Sequence, residues 1–502
     1  MGNTLTFLAE ISEADWANTP ERVKQLVKRL VEQIAALEAG QQALQEQIQR
    51  NSQNSSQPPS QDAPKGFEPK PKKKSGKARG GQPGHAGHAQ ELYPPEQCAD
   101  SEDHYPETCI ECGHSLQGED THPYRCQIIE LPPLQPVVFE HRFHALECPC
   151  CGVSTRAYDA QIINGSRYGE RLCSLVALLS GEYRQSHQMV VRLLNEWFEI
   201  PISVGSVGRV RQEISEAVAV PVDATHVYVQ QQPVVGVDET SLPQGNGDGN
   251  NAQGKRGWLW VVVTPLVCYF QVSLSRSKAV AQALLGVNFA GIVNSDRYSS
   301  YNWLALQRRQ LCWAHLKRDF TKIAERSGVS ESLGQRLLQQ QEQLFELWHR
   351  VRDGTLARTL FILEVAPIRQ QVQALLKEGA QYPLGEKEKT PLAKTVRTCQ
   401  QLLKVEPALW LFVAVEGVEP TNNAAERAIR PAVLWRRSSY GSQSEAGSLF
   451  VSRMMTVVTT LRCQKRNVLN YLAEACRAKR QGLPPPSLLP LAQPPLPTLS
   501  VP

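Results

Sequence analysis

Apolar residues recur at heptad spacing over residues 20–50: Leu30, Leu37 and Leu44 form one row, and Val27, Ile34 and Ile48 form a second, interrupted by Gln41. This spacing predicts a short coiled coil and hence a homo-oligomer, with Gln41 selecting register or partner. The pattern vanishes over 51–95, where Pro, Ser and Gln give way to KPKKKSGKARGGQPGHAGH; a basic segment so rich in Gly and Pro cannot bury a core and reads as a disordered linker. Helical spacing returns over 166–225 in YGERLCSLVALLSGEY, QSHQMVVRLLNEWF and VGSVGRVRQEIS. Two helices, a turn and a third, basic helix match a helix-turn-helix reader, with Ser203 as N-cap and Ser206, Arg209 and Arg211 reaching toward DNA. An ordinary helical bundle linking two domains fits the same pattern.

From residue 230 the period shortens. PVVGVDET, GWLWVVVT, VCYFQVSL, GIVNSD and RRQLCWAH read as five strands, with the helix SKAVAQALLG between the third and fourth. Hairpin strands, then a helix, then further strands give an α/β core over 230–320 and suggest the mixed sheet of a ribonuclease-H-like fold. Long helical repeats fill 321–420 as an insertion. Residues 421–480 continue the core with the helix opening in PTNNAAERAIRP and then two packed helices, and 481–502 is a proline-rich tail expected to be disordered.

Composition sharpens this picture at three points. Net charge is only +5, yet residues 61–90 carry seven Lys/Arg against two acids and residues 421–480 eleven against three. Such local basic surfaces suit a polyanion, with Lys72, Lys73 and Lys74 at the centre of the first. The longest apolar stretch, WLWVVVTPLVCYF at 258–270, is too short to span a bilayer, and the opening MGNTLTFLAEISEADW lacks a basic n-region and a clean apolar core; a cytoplasmic protein with no membrane partner is expected. Thirteen cysteines include two C-x-x-C-G knuckles, Cys109/Cys112 and Cys148/Cys151 within 96–165, whose four thiolates match a structural Zn²⁺ site. The 35 residues between them exceed the usual spacing, so Cys150, His114, Cys98 and Cys126 stay open as substitutes.

Three acids have distinctive settings. Asp238 and Asp296 end apolar strands, and Glu426 lies on the opening turns of a helix, 130 residues beyond Asp296. Each has an ordinary reading, as strand-end cap, turn residue or complement to the helix dipole. Together they are the donor set for two Mg²⁺ (or Mn²⁺) ions about 4 Å apart, which would activate water and stabilise a leaving oxygen in phosphodiester chemistry. Thr421 or Asn422 is expected to cap the glutamate helix. Asn422 and Asn423 lie one turn before Glu426 and Arg430 one turn after it, while Arg436 and Arg437 follow as candidate DNA contacts. Glu239 should point to the opposite strand face and is the substitute if Asp238 is not a ligand. His315 is a candidate proton carrier or phosphate ligand, and a structural role fits it equally.

The chain resembles DDE transposases of the insertion-sequence-sixty-six type. The matching motifs are GGQPGHAGH (80–88), the two knuckles, VDET (237–240), SDRYSSYN (295–302), CWAHLKRDF (312–320), and NNAAERAIRP (422–431) running into RRSSYGSQSEAG (436–447). They cover most of residues 20–475 in family order. The resemblance implies a ribonuclease-H-like catalytic domain with Asp238, Asp296 and Glu426 as triad, preceded by helical, zinc-binding and DNA-binding parts. It also implies action on double-stranded DNA at terminal inverted repeats, accessory proteins from the same element, and a bacterial, nucleoid-associated location. Arg297 stands where many relatives carry glycine and is a candidate contact to DNA or the scissile phosphate. A catalytically inactive, domesticated DNA-binding relative, or a simple metal-dependent nuclease, would share much of this pattern.

Overall fold

The computed structural model describes residues 13–49 and 92–490, apart from Asn164, Glu386 and Tyr440. Lys72, Lys73 and Lys74, the basic linker around them, and the tail from 491 lie outside the described residues. The heptad segment is one helix, α1 (Glu21–Gln49), along which Leu26, Leu30, Ile34 and Leu37 stand exposed. The chain forms two compact units. The smaller draws on 92–142 and 193–201, and the larger takes in 143–192 and 202–490.

Each unit contains one cysteine knuckle, and the two are built alike. In the smaller, Cys109 N–H donates to His114 O (2.8 Å) and Gly113 N–H to Cys109 O (2.9 Å). In the larger, Cys148 N–H donates to Val153 O (3.0 Å) and Gly152 N–H to Cys148 O (2.9 Å), flanked by the paired strands β1 (Ala145–Glu147) and β2 (Ser154–Arg156). Gly113 and Gly152 have φ of 71° and 68°, so the glycine after each C-x-x-C is the residue that permits the turn. Backbone N–H groups of Cys112 and Glu111 lower the Cys109 thiol, and those of Cys151 and Cys150 lower Cys148.

Four helices follow: α2 (Glu170–Gly181), α3 (His187–Phe198), α4 (Val204–Ala217) and α5 (Ala219–Gln230). Ser203 caps α4, its hydroxyl accepting the Ser206 N–H at 3.1 Å. The sheet that follows has five strands, β3 (Val234–Ser241), β4 (Trp258–Val263), β5 (Cys268–Ser273), β6 (Ile292–Ser295) and β7 (Arg309–Leu311), with helix α6 (Lys278–Leu285) between β5 and β6. Their spatial order is β5-β4-β3-β6-β7; β3, β4 and β5 are antiparallel, and β6 and β7 run parallel to β3. Four of the five strands lie where the apolar runs place them. The fifth is shorter than RRQLCWAH suggests: it stops at Leu311, and α7 (Trp313–Ala324) begins within the same motif. His315 is thus on a first helical turn, not a strand end.

The insertion is a bundle of α8 (Val329–Arg352), α9 (Arg358–Ala380) and α10 (Pro391–Lys404), packed on α7. Its core is aromatic: Trp313 meets Trp410 at 5.1 Å between ring centroids, and Trp348 meets Phe412 at 5.4 Å. The chain then returns as α11 (Asn423–Ser439), α12 (Glu445–Cys463) and α13 (Val468–Arg480). Helix α11 packs over β3 and β4, while α12 and α13 pack against α2 and α4. Arg480 ties this bundle, donating to Glu213 of α4 (2.7 Å) and Glu170 of α2 (3.0 Å). Helices α2 and α4 therefore pack as a helical bundle with the C-terminal helices. Among the described residues no helix is long and apolar enough to cross a membrane.

Edge strand β5 is closed by two buried hydroxyls of α12. Phe270 N–H donates to Thr456 Oγ1 (2.9 Å) and Cys268 N–H to Thr460 Oγ1 (3.1 Å). A buried strand edge needs such partners, because an unpaired buried N–H keeps its full desolvation cost. Thr456→Val, which keeps shape and removes the acceptor, should destabilise the protein by about 1–3 kcal/mol in urea unfolding; a change near zero would mean the edge is satisfied some other way.

Candidate active site

Parallel pairing sets the geometry. Gly236 of β3 is opposite Asn294 of β6, so two residues further on Asp238 is level with Asp296. Ser295 is opposite Leu311 of β7, so Asp296 is in turn level with Cys312. Adjacent strands lie about 4.8 Å apart, and the C-terminal ends of parallel strands are where α/β sheets present ligand groups. Asp238 shares its face with Gly236 and Thr240, and α11 lies over that face. A side chain at Gly236 would meet Asn422 Oδ1 at 2.8 Å and Ala425 Cβ at 3.6 Å. The glycine thus lets the helix bearing Glu426 approach the strand bearing Asp238.

Burial pushes the Asp238 carboxyl well above the usual carboxylate range, and the charges of Glu239, Asp296 and Glu426 push it further. The charges of the other two expected acids are therefore felt at Asp238. Asp296 is fixed by its Oδ1, which accepts the Tyr298 N–H at 2.9 Å. Glu426 Oε1 lies 3.5 Å from His315 Nδ1 and 3.5 Å from Arg318 Nη2, and among the described residues it has no hydrogen-bond partner. Burial and then Arg318 lower the His315 imidazole, which favours its neutral form.

Glu239, the alternative acid, is on the other strand face and is engaged there. Arg276 Nε donates to it at 2.8 Å, and Tyr301 donates its hydroxyl. This gives SDRYSSYN a structural meaning, since Tyr298 and Ser300 hydroxyls both donate to Arg276 O at 3.2 and 2.8 Å.

Asn294 and Arg309 escaped sequence reasoning, as did the contacts that Asn422 makes. Asn294 Nδ2 donates to Glu419 O (2.7 Å) and Thr421 O (3.1 Å), pinning the segment before α11 onto β6. Asn422 N–H donates to Cys312 Sγ (3.1 Å) and its side-chain amide to Val237 O (2.7 Å). Asn422 therefore ties helix to strand, and its side chain does not cap the helix. Buried Arg309, lowered to about 10 by burial, donates to Asp296 O (2.9 Å), Tyr298 O (3.2 Å) and Asn302 Oδ1 (2.8 Å). Only the buried, polar character of β6 and β7 in an otherwise apolar sheet hints at these roles.

The arginines expected to meet DNA divide into two groups. Arg209 of α4 and Arg430 and Arg437 of α11 are exposed, as is Asn423. Three others are turned inward. Arg211 lies over the Phe450 ring (4.1 Å to its centroid), bonded to His187 and lowered to about 10 by burial. Arg297 pairs with Asp319 at 2.6 Å. Arg436 donates to Thr240 Oγ1 (2.9 Å) and Ser241 Oγ (2.5 Å), fastening α11 to the end of β3. Arg427, one turn before Arg430, is exposed and extends the outward basic stripe.

A mixed α/β sheet with clustered acids at the C-terminal ends of its parallel strands places the chain among α/β proteins whose site lies beyond those ends. Residues 165–449 match the family model described as "Transposase IS66 family", and the chain belongs to that family. Residues 12–91 match a family of unknown function, DUF6444. Two similar proteins of Sinorhizobium fredii (strain NBRC 101917 / NGR234) are themselves uncharacterized. The protein y4qI is 28% identical over 280 residues, covering 51% of this chain and 49% of that protein, and y4hP is 26% identical over 230 residues, covering 42% and 40%. The matches thus span half or less of those relatives' length.

The raised Asp238 carboxyl has a signed consequence. The native state holds this proton more tightly than the unfolded chain, so its contribution to stability falls as pH rises above about 4, the unfolded value. Asp238→Asn should therefore raise the unfolding temperature in chelator at neutral pH, with the gain fading toward pH ~4. A variant that is less stable at neutral pH, or a gain that does not vary with pH, would contradict this charge cluster.

Proposed function

We propose that this protein is a DDE-type DNA transposase that binds the terminal inverted repeats of its element and cuts and joins DNA at a site formed by Asp238, Asp296 and Glu426. In this reading the five-stranded sheet is a ribonuclease-H-like core. The observation that carries the reading is the parallel register of β3 and β6, which when extended brings Asp238 level with Asp296 just past the end of β6, with the charges of Asp296 and Glu426 felt at Asp238. Three carboxylates driven together are chemically suited to hard divalent cations, and Glu426 Oε1, which accepts no hydrogen bond among the described residues, is a donor of the right kind.

Two Mg²⁺ (or Mn²⁺) held by these acids would supply water activation and leaving-oxygen stabilisation. The rest falls to the chain. Asn294 and Asn422 fix the start of α11, so that Glu426 stands over the strand ends. His315 and Arg318 orient the Glu426 carboxylate. Arg427, Arg430 and Arg437 line the exposed side of α11, where phosphates of an incoming end would neutralise them; Arg209 offers a further contact from α4. Lys72, Lys73 and Lys74 would follow the backbone non-specifically.

The knuckle pairs Cys109/Cys112 and Cys148/Cys151 are proposed as structural Zn²⁺ ligands, supported by their matching hydrogen-bond patterns. The exposed apolar row of α1 suits pairing with a second copy. Accessory proteins of the same element and a nucleoid-associated place in the bacterial cytoplasm follow from the transposase reading.

With DNA carrying the native element ends and Mg²⁺, Glu426→Ala should abolish cutting and strand transfer while leaving end binding within about twofold, since it removes no phosphate contact. Retained strand transfer would overturn the triad; end binding without cutting by the wild-type protein would favour a non-catalytic DNA-binding relative. For the knuckles, the full-length protein should carry bound zinc that is lost in a Cys112→Ser, Cys151→Ser double variant. Zinc content unchanged by that double substitution would rule the knuckles out as zinc ligands.

A further inference from the structure

A second set of donor atoms adjoins the carboxylates. One donor atom each from Cys312, His315 and Glu426 lies within 4.8 Å of the other two. Glu426 Oε1 and His315 Nδ1 face each other at 3.5 Å, and both are buried without a hydrogen-bond partner. Cys312 immediately precedes α7 and His315 is three residues on, so both lie on one side of its first turn. Cys312 is also level with Asp296 across the sheet. The set is one sulfur, one nitrogen and one oxygen. Magnesium prefers an all-oxygen shell, whereas zinc-class ions take thiolate, imidazole and carboxylate together in a tetrahedral site.

A comparison within the same molecule separates a loosely paired donor set from a filled one. Cys173, Glu213 and Cys476 also lie within 4.8 Å of one another. There, however, Arg480 donates to Glu213 at 2.7 and 3.2 Å and to Cys173 Sγ at 3.3 Å. A guanidinium already stands in the cation's place. Beside Cys312 the guanidinium is held more loosely: Arg318 Nη2 lies 3.3 Å from His315 Nε2 and 3.5 Å from Glu426 Oε1, both longer than the 2.7 Å bond from Arg480 to Glu213.

We propose that Cys312, His315 and Glu426 form a site for one thiophilic divalent cation of the zinc class, overlapping the acidic cluster at Glu426. Binding exchanges the Cys312 thiol proton, released to solvent, for the ion. Ligation through His315 Nδ1 leaves the imidazole proton on Nε2, so Arg318 must withdraw from that atom. The site stands on its own geometry; its consequence rests on the transposase reading. An ion held there draws Glu426 away from magnesium, so zinc-class ions inhibit the reaction where magnesium supports it.

The test uses the full-length protein, stripped of metal and kept reduced, titrated with Co²⁺ and followed by thiolate-to-cobalt absorption. Wild type is expected to take up one more Co²⁺ per chain than Cys312→Ser or His315→Ala, while Cys173→Ser matches wild type. The knuckle cysteines are present in every variant, so their contribution cancels. Equal uptake by wild type and both site variants overturns the proposal. His315→Ala keeps the test decisive if Cys312→Ser proves unfolded by circular dichroism. In a magnesium-driven cleavage assay, Zn²⁺ should inhibit wild type at least about tenfold more strongly than Cys312→Ser, the scale expected when one group of a metal site is lost; equal inhibition also overturns it. A protein that cuts no DNA would sink the transposase reading and leave the cobalt result to decide the site.

Discussion

Two buried carboxamides hold the acidic end of this sheet together. Asn422 donates to the Val237 carbonyl, one residue before Asp238, and Asn294 donates to Glu419 and Thr421, just ahead of the glutamate helix. Between Asp296 and Glu426 the chain makes a long helical excursion, and closing a loop of that length is entropically costly, though the cost grows only logarithmically. Each such hydrogen bond contributes about 0.5–1.5 kcal/mol net, so their value lies in direction as much as in stability. They fix the height and the angle at which α11 crosses β3, and the missing side chain at Gly236 supplies the clearance.

The two neighbouring acids of β3 show how the fold discriminates between a structural carboxylate and a reserved one. Glu239 is buried, yet Arg276 and Tyr301 both reach it, so its charge is compensated locally. Among the described residues Asp238 receives only the N–H of Glu239, at 2.9 Å, and it feels the charges of Glu239, Asp296 and Glu426. Strand alternation sends consecutive side chains to opposite faces, which lets one position serve the core and the next serve the cluster. A like-charged group without a cationic partner costs stability. The apolar sheet, the capped β5 edge and the aromatic core of the insertion offset that cost elsewhere, as is usual where local strain is retained for function.

How much of this was legible in the sequence follows from the range over which each signal acts. Val234, Val235 and Val237 announce β3, Ile292 and Val293 announce β6, and the N-cap at Ser203 is a local matter; all three were readable. Asp238 and Asp296 stood out because an acid ending an apolar strand breaks a local pattern. Asn294, Arg309, Thr456 and Thr460 did not, because their partners are contributed by distant segments and no local pattern is broken. The inward turn of Arg211, Arg297 and Arg436 was hidden for the same reason. An arginine on a helix or in a turn reads as a surface charge until Phe450, Asp319 or Ser241 is brought to it. The fifth strand was overextended because Cys312 and Trp313 continue the apolar run of β7 although the backbone has already turned into α7.

That last misreading points to what the insertion does. Trp313, which looks like strand, is the first residue of α7, and its indole N–H donates to Leu409 O at 2.8 Å while its ring meets Trp410. Gln310 of β7 bonds the same carbonyl at 3.1 Å and receives the Phe412 N–H at 2.9 Å. The far end of the insertion is thus stitched to the strand and helix turn that present Cys312, His315 and Arg318, and Trp313 N–H continues the seam to Pro420 O at 2.9 Å. A segment that leaves the sheet after Leu311 and returns just before Glu426 is fastened at its return to the same turn that faces Glu426. The insertion therefore acts as a frame, in which packing among Trp313, Trp348, Trp410 and Phe412 fixes where the first turn of α7 can stand.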